Sequence, residues 1–453
     1  MRKIRNFMCA VAVLLLLLAA KIGMQEPIDV EEWVASASVE SDEKIIRIPE
    51  IVPEREEVQL PAAYDYRMEG RAPQIKSQGG ISNCWAFAGI SALESSLLPE
   101  EAAVYSTDHV THCNAYSFEP EEGGAYIMAV SYLTGWMGPV AEAEDPSGDG
   151  ESPEGLSAAK QVLDVRILDY KDYEAIKRTV YLYGGVESSI YMDFTQESSD
   201  SDSYNWSTYS YCYTGETEPN HDVLIIGWDD DYPASRFQTP PPGDGAFICQ
   251  NSWGERFGDK GVFYVSYYDS TIGGNNTAYT RTEDAGYFDA LYQSDLCGWT
   301  GQLGYDTEEA WFANVYTAKE AETLSAAGFY TTGMDSTYEI YLVPEFTDES
   351  SLQNRTFLAN GYFQYAGYHT VEFPKEVSLE AGQKFALVMY IKTSGEIYPI
   401  AVELIQEDVY YLEAVVLDDG ESYISDKGSV WASAEETCRS NVCLKAYITR
   451  EKE

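Results

Sequence analysis

Basic residues are scarce in this sequence. Its 453 residues include 29 Lys and Arg against 75 Asp and Glu, a formal net charge of −46. Such a surface repels phosphates and anionic membranes, so neither nucleic acid nor a membrane surface is an expected partner. It suits solubility outside a cell. Histidine is scarcer still: His109, His112, His221 and His369 are the whole supply. His109, His112 and Cys113 cluster, but they lack a fourth ligand at a zinc-like spacing. The run Asp229, Asp230 and Asp231 reads as a solvated loop rather than a calcium site. No metal and no cofactor is therefore expected. After residue 20 no apolar run approaches the roughly 20 residues that a bilayer span needs. Of the eight cysteines Cys9 falls in the leader, and the remaining seven are an odd number, so at least one thiol stays unpaired if the others pair. Cys438 and Cys443 lie close enough for a small loop.

What is present begins with an export signal. Arg2, Lys3 and Arg5 precede an unbroken apolar run from Phe7 to Ala20, short for a membrane span and suited to a signal core. Residues 1–24 read as a signal peptide, which places the rest in a secreted or cell-surface setting. Residues 25–58 are acidic and punctuated by proline, as in a linker or short pro-segment. From Leu60 the composition turns globular. The length fits two or three domains, and 36 Tyr favour β-rich structure.

Phe87, Ile90, Leu93 and Leu97 recur at helical spacing after Cys84, with Ser82 and Asn83 as capping residues before them. Residues 145–155 form a polar Gly/Pro loop. Strands dominate after about residue 180. Val223 to Ile226, Ala246 to Cys249 and Val262 to Tyr267 read as strands, and residues 229–245, with three consecutive prolines, as a loop between two of them. From about residue 284 short strand-like runs alternate with turns: Leu324 to Tyr330, Tyr338 to Val343, His369 to Phe373, Lys384 to Ile391, Tyr410 to Leu417 and Val442 to Ile448. This spacing predicts an antiparallel β-sandwich. The fold class expected is α+β, with a domain over 59–283 and a β-sandwich domain over 284–453.

The chemistry centres on Cys84. A thiol at a helix N-terminus beside a histidine has its pKa lowered into the range that yields a thiolate nucleophile. His221 opens the buried strand, where a rigid element aims its ring. A base of this kind needs a third polar group to orient it, and Asn251 suits that role. Gln78 and the backbone N–H of Cys84 are candidate donors to a tetrahedral oxyanion.

Three motifs carry a family resemblance. Gln78-Gly79-Gly80-Ile81-Ser82-Asn83-Cys84-Trp85-Ala86-Phe87-Ala88 resembles the nucleophile segment of the papain family. His221 to Gly227 resembles its histidine strand, and Asn251-Ser252-Trp253-Gly254 its asparagine motif. Leu60 to Arg67 is similar to the family's mature N-terminus. The interval from Cys84 to His221 is 221 − 84 = 137 residues, within the roughly 130–150 expected. The resemblance covers about residues 60–283. It implies a two-lobed α+β fold with the site between a helical half and a β-rich half, and a cysteine peptidase acting on protein or peptide substrates. Cys84 is then the nucleophile, His221 the base and acid, Asn251 the orienting group and Gln78 an oxyanion donor. Trp253 shields the Asn251–His221 pair, and Gly123 and Gly124 line the substrate groove. The sequence departs from the family where Ile81 replaces a common cysteine, which removes a bridge beside the nucleophile. The pro-region also lacks a long amphipathic helix.

Leu291 to Gln293, Gly298 to Gly301 and Ala310 to Tyr316 resemble a lectin-like domain appended to some bacterial papain-like proteases. That resemblance implies a glycan partner, although Trp299, Trp311 and Trp431 are expected to pack in the core rather than stack on sugars. The alternative reading is a surface glycan-binding or adhesive protein whose protease-like domain is silent; loss of Cys84 or His221 would have favoured it, and both are present.

Overall fold

The computed structural model describes residues 58–450, apart from 154, 197, 199 and 406–414, together with the pair Ile28–Asp29. The expected signal peptide and most of the 25–58 segment lie outside the described residues. The described residues divide into two compact units. One comprises 58–114 and 118–282; the other comprises Ile28–Asp29, 115–117 and 283–450.

In the first unit the elements run β1 (Ala63–Asp65), α1 (Cys84–Leu97), α2 (Thr107–His112), α3 (Tyr126–Thr134), β2 (Lys160–Leu168), α4 (Tyr173–Leu182), β3 (Val186–Ile190), β4 (His221–Asp229), β5 (Ala246–Gln250), β6 (Val262–Ser266) and β7 (Gly274–Asp284). The helical spacing after Cys84 is realised: Phe87, Ile90 and Leu93 are buried, and so are Trp85, Ala86, Ala88 and Ala92 between them. A helix apolar on nearly every side belongs in a core, and α1 packs on both α3 and β4. It stops at Leu98, whose backbone is extended as expected ahead of Pro99.

The capping expectation needs correction. Asn83 holds the N-cap position, and its carbonyl accepts from the N–H groups of Ala86 and Phe87. Its side chain makes no capping bond; its amide donates to Thr111 Oγ1 at 3.2 Å instead. The buried residue spends its amide on α2, so the first-turn N–H groups stay uncapped by it.

Elements β2, α2, α3 and α4 were not anticipated. For α4 a signal existed: Ala175, Ile176, Thr179 and Val180 form one buried stripe, and Asp172 caps it by accepting from Ala175 N. The sheet runs β2-β7-β3-β4-β5-β6, with β1 also paired to β4. Val223 to Ile226 are buried in β4, as a continuous apolar run requires. Asp65 of β1 lies opposite Gly227. A side chain at Gly227 would run into the Tyr64 carbonyl, so the strands meet here because no Cβ intervenes. Gly227→Ala should therefore cost about 1–3 kcal/mol, the usual penalty for overpacking, read as a lower urea midpoint at unchanged slope.

The second unit is built from antiparallel strands. They are β8 (Ala290–Tyr292), β9 (Gly301–Gly304), β10 (Glu309–Thr317), β11 (Glu322–Thr331), β12 (Ser336–Val343), β13 (Thr356–Phe363), β14 (Ala366–Leu379), β15 (Lys384–Thr393), β16 (Ile400–Leu404), β17 (Ser422–Ser425), β18 (Ala432–Ser433), β19 (Ser440–Val442) and β20 (Leu444–Thr449). One sheet runs β13-β12-β15-β10-β17-β18, a second contains β8-β20-β11-β14, and β9-β16-β19 form a third. Ile28–Asp29 adds to β9 in parallel, with Ile28 opposite Leu303. Phe312, Phe329, Ile340, Leu387, Met389 and Leu444 share the main core. Trp311 and Trp431 are buried in a second apolar cluster, and Trp299 is half-buried, in keeping with a packing role. The Tyr410 to Leu417 strand falls mostly outside the described residues, and residues 415–417 are not strand. Cys438 and Cys443 are buried thiols without a disulfide. Lys445 on β20 forms a buried ion pair with Asp295 at 2.8 Å.

Candidate active site

The segment before α1 is stitched to the segment after β5. Gln78 N donates to the Ser252 carbonyl at 2.8 Å, and Gly254 N donates to the Lys76 carbonyl at 3.0 Å. Ser252 Oγ donates to Gln78 Oε1 at 2.5 Å. These bonds bring the Gln78 and Asn251 motifs together although 251 − 78 = 173 residues separate them. The Gln78 side-chain amide donates to the Ile81 carbonyl at 2.7 Å. That uses one of its two N–H bonds and leaves the other.

Cys84 is the first residue of α1, partly exposed. His221 is the first residue of β4, opposite Ile190 of β3. Asn251 follows β5 directly. Asn251 Oδ1 accepts from Ser252 N at 2.8 Å and meets His221 Nε2 at 2.8 Å. An amide oxygen only accepts, so Nε2 carries the ring proton and Nδ1 is the basic nitrogen. The Trp253 ring lies over the imidazole, centroids 5.0 Å apart and planes 37° apart. Both residues are buried, so the amide–imidazole bond is sheltered from water.

Gly123 and Gly124 approach the nucleophile segment. Gly123 has φ +93°, and a Cβ there would lie 3.8 Å from the Ser82 carbonyl. A Cβ on Gly124 would collide with the indole of Trp85. The structure thus brings Gly123 and Gly124 against the Cys84 segment, and Gln78, His221 and Trp253 around Asn251. His109 and His369 are placed elsewhere: His109 Nδ1 lies 2.7 Å from Tyr132 Oη, and His369 stacks on Phe363. In the acidic run, Asp230 pairs with Lys177 at 2.5 Å.

One neighbour of the thiol was missed. Asp222, next to His221, places Oδ2 4.0 Å from Cys84 Sγ, the outer limit for a sulfur donor. Its Oδ1 accepts from Ser189 Oγ at 2.6 Å, across the β3–β4 register that sets Ser189 opposite Asp222. Glu187, two residues earlier on β3, is fully buried, and neither carboxylate oxygen has a hydrogen-bond partner. In the sequence Asp222 is only the residue beside His221; its approach to Cys84, 138 residues earlier, is a tertiary contact.

The electrostatics differ from the expectation for a helix-start thiol. Burial pushes the Cys84 thiol upward, and the Asp222 and Glu187 carboxylates add to that push. The helix end and the peptide N–H groups pull the other way. Burial lowers His221 to about 4, opposed by its bond to Asn251. Burial raises Asp222 to about 6, opposed by Ser189. Both shifts work against the charged forms, thiolate and imidazolium.

Two family models match this chain. Residues 60–282 match the family model described as papain family cysteine protease, and residues 291–448 match the model for a lectin like domain. The chain is 27% identical to cathepsin S of Bos taurus over 215 residues, which is 46% of this chain and 60% of that protein. It is 26% identical to a cysteine protease of Ambrosia artemisiifolia over 214 residues, 46% of this chain and 50% of that one. It thus spans little more than half the length of these curated relatives. Among solved structures it resembles the cysteine protease and lectin-like domains of Cwp84, a surface layer associated protein of Clostridium difficile. The TM-score is 0.75 at 26% identity, covering 87% of this chain and 90% of that one. The clostridial protease Cwp84 after propeptide cleavage gives a TM-score of 0.76 at 27% identity, covering 86% of this chain and 99% of that one.

Proposed function

Since residues 60–282 of this chain belong to the papain family of cysteine proteases and residues 291–448 are a lectin-like domain, we propose that the protein is a secreted cysteine endopeptidase whose nucleophile is Cys84. The observation that carries this reading is the His221 Nε2–Asn251 Oδ1 bond beneath Trp253, with Asp222, the next residue of β4, 4.0 Å from the thiol at the start of α1. His221 Nδ1 takes the thiol proton as Sγ attacks the scissile carbonyl carbon. The oxyanion that forms is held by the Cys84 backbone N–H and the second N–H of the Gln78 amide. The imidazolium then returns the proton to the leaving amine, the C–N bond breaks, and an acyl-thioester remains. Water, deprotonated by the same imidazole, hydrolyses it. Asn251 keeps Nδ1 aimed through both proton transfers. Gly123 and Gly124 offer bare backbone along the groove. A signal peptide over 1–24, a pro-segment over 25–58, catalytic and sandwich domains over 59–283 and 284–453, release from the cell or retention at its surface, and a glycan partner for the sandwich domain complete the reading.

The test is labelling of the purified protein with a peptidyl epoxide that traps active-site thiolates, followed by peptide mass mapping. Modification of Cys84 alone, lost in His221→Ala, is the expected result. Labelling spread over several cysteines, or unaffected by His221→Ala, overturns the assignment.

A further inference from the structure

Water barely reaches the ion pair between Lys445 and Asp295. The two side chains keep 1% and 0% of their exposure, and Nζ lies 2.8 Å from Oδ2. Lys445 stands on β20. The β8–β20 register sets Tyr292 opposite Ala446, and the chain continues from there through Gln293 to Asp295. The ammonium also donates to Gln293 Oε1 at 2.8 Å and to the Asp295 backbone carbonyl at 3.2 Å. An ammonium has three N–H bonds, so these partners use all of them and fix how Nζ faces the carboxyl. A second carboxyl is tied to the same place. Glu403 accepts from Cys297 N at 2.6 Å and from Asn441 Nδ2 at 2.9 Å. The same Asn441 amide donates to the Ser294 carbonyl at 3.1 Å. Glu403 is thus linked to the chain on both sides of Asp295.

Holding an ammonium and a carboxylate out of water is costly, and one reaction removes both charges at once. We propose that Lys445 and Asp295 condense to an intramolecular amide, a covalent cross-link between β20 and the segment that follows β8. The proton between Nζ and Oδ2 first moves to the carboxylate, which leaves a neutral amine beside a carboxylic acid. Nζ then attacks Asp295 Cγ, one bond beyond the oxygen it already touches, and the N–C bond forms. A C–O bond of the tetrahedral carbon breaks, and that oxygen departs as water with the carboxyl proton and one amine proton. One N–H remains on the amide for Gln293 Oε1 or the Asp295 carbonyl. No oxidant, reductant or other reactant enters. Glu403 relays the amine proton to the departing oxygen. Burial raises it to about 7, aided by the Asp295 charge and opposed by its hydrogen bonds and by Lys445, so it gives and takes a proton near neutrality. Exclusion of water from the site protects the amide from hydrolysis. The link closes a loop of 445 − 295 = 150 residues, and unlike a disulfide it survives reductant. The reaction lies within the second unit and asks nothing of Cys84.

The test is tryptic mapping of the purified full chain after denaturation, reduction and alkylation. An amide at Lys445 blocks cleavage there, so peptide 440–450 should appear joined to peptide 282–319, at the sum of their masses less one water. Fragmentation should place the join at Lys445 and Asp295. The linear peptides 440–445 and 282–319 should be lost from the map to the same extent. Asp295→Ala should restore both. Glu403→Gln should slow the condensation by about a hundredfold, the scale of a lost proton relay, and so leave chains unjoined at a time when wild type is complete. Full recovery of the two linear peptides from wild type means a simple ion pair and overturns the proposal, whether or not any variant folds. A joined peptide that persists in Asp295→Ala overturns the choice of carboxyl. A rate unchanged in Glu403→Gln overturns the relay.

Discussion

Replacing Cys84 with alanine should abolish peptide hydrolysis, with kcat falling by about 10⁴-fold or more, as when other covalent nucleophiles are removed. In the proposed mechanism no other described group takes its place, because His221, the proposed base, is fixed by Asn251 and covered by Trp253. Alanine is the best helix former and Cys84 is only partly exposed at the first position of α1, so the fold should keep its stability. Removing the thiol also removes the group whose ionisation Asp222 and Glu187 oppose. Substrate binding should therefore hold or tighten while turnover disappears. The measurement is kcat/KM on a fluorogenic peptide beside a binding titration of the same peptide. Activity within tenfold of wild type would refute the assignment of the nucleophile.

Lys445→Met should be the most damaging single change in the second unit. Lys445 and Asp295 are almost wholly buried, and Lys445 also donates to Gln293 Oε1 at 2.8 Å. Glu403, close enough to feel both charges, is raised to about 7 by burial, with its Cys297 N and Asn441 bonds pulling it down. Removing the ammonium leaves Asp295 buried without its cation, which costs about 3–5 kcal/mol for a broken buried pair. The pH dependence follows in sign. A carboxyl whose folded pKa is raised binds its proton more tightly in the folded state than in the unfolded chain. Stability then falls as pH climbs above the unfolded value of about 4. Lys445→Met should be closest to wild type near pH 4 and furthest from it above neutrality. Urea unfolding across that range would show the two curves diverging; parallel curves would mean that the pair contributes little.

The sequence carried the parts of this molecule that depend on local pattern or a short motif. The helix after Cys84 was legible because Phe87, Ile90 and Leu93 recur on a helical period, and β4 because four apolar residues run together. The sandwich strands were legible because aromatic and β-branched runs alternate with turns. Local pattern failed where a side chain had two partners to choose from. Asn83 satisfied every rule for a cap and spent its amide on Thr111 instead. Asp222 was in plain view beside His221, yet its meaning depends on Ser189 33 residues earlier and on Cys84 138 residues earlier. No local pattern reports such distances. Helix α4 was different: its apolar stripe and its Asp172 cap were both present in the sequence and went unread.

Cys212, Cys249, Cys297, Cys438 and Cys443 are buried thiols, and none is oxidised to a disulfide. A scaffold stapled by disulfides would set its own durability against the chemistry of a thiol nucleophile, since a reductant strong enough to rescue Cys84 from sulfenic acid would also cut the staples. Here both make the same demand on their surroundings. A millimolar reductant should restore an oxidised Cys84 without loosening either unit. Peroxide should reach the partly exposed Cys84 and Cys113 before the buried thiols, so that redox potential meters activity while leaving the folded population unchanged.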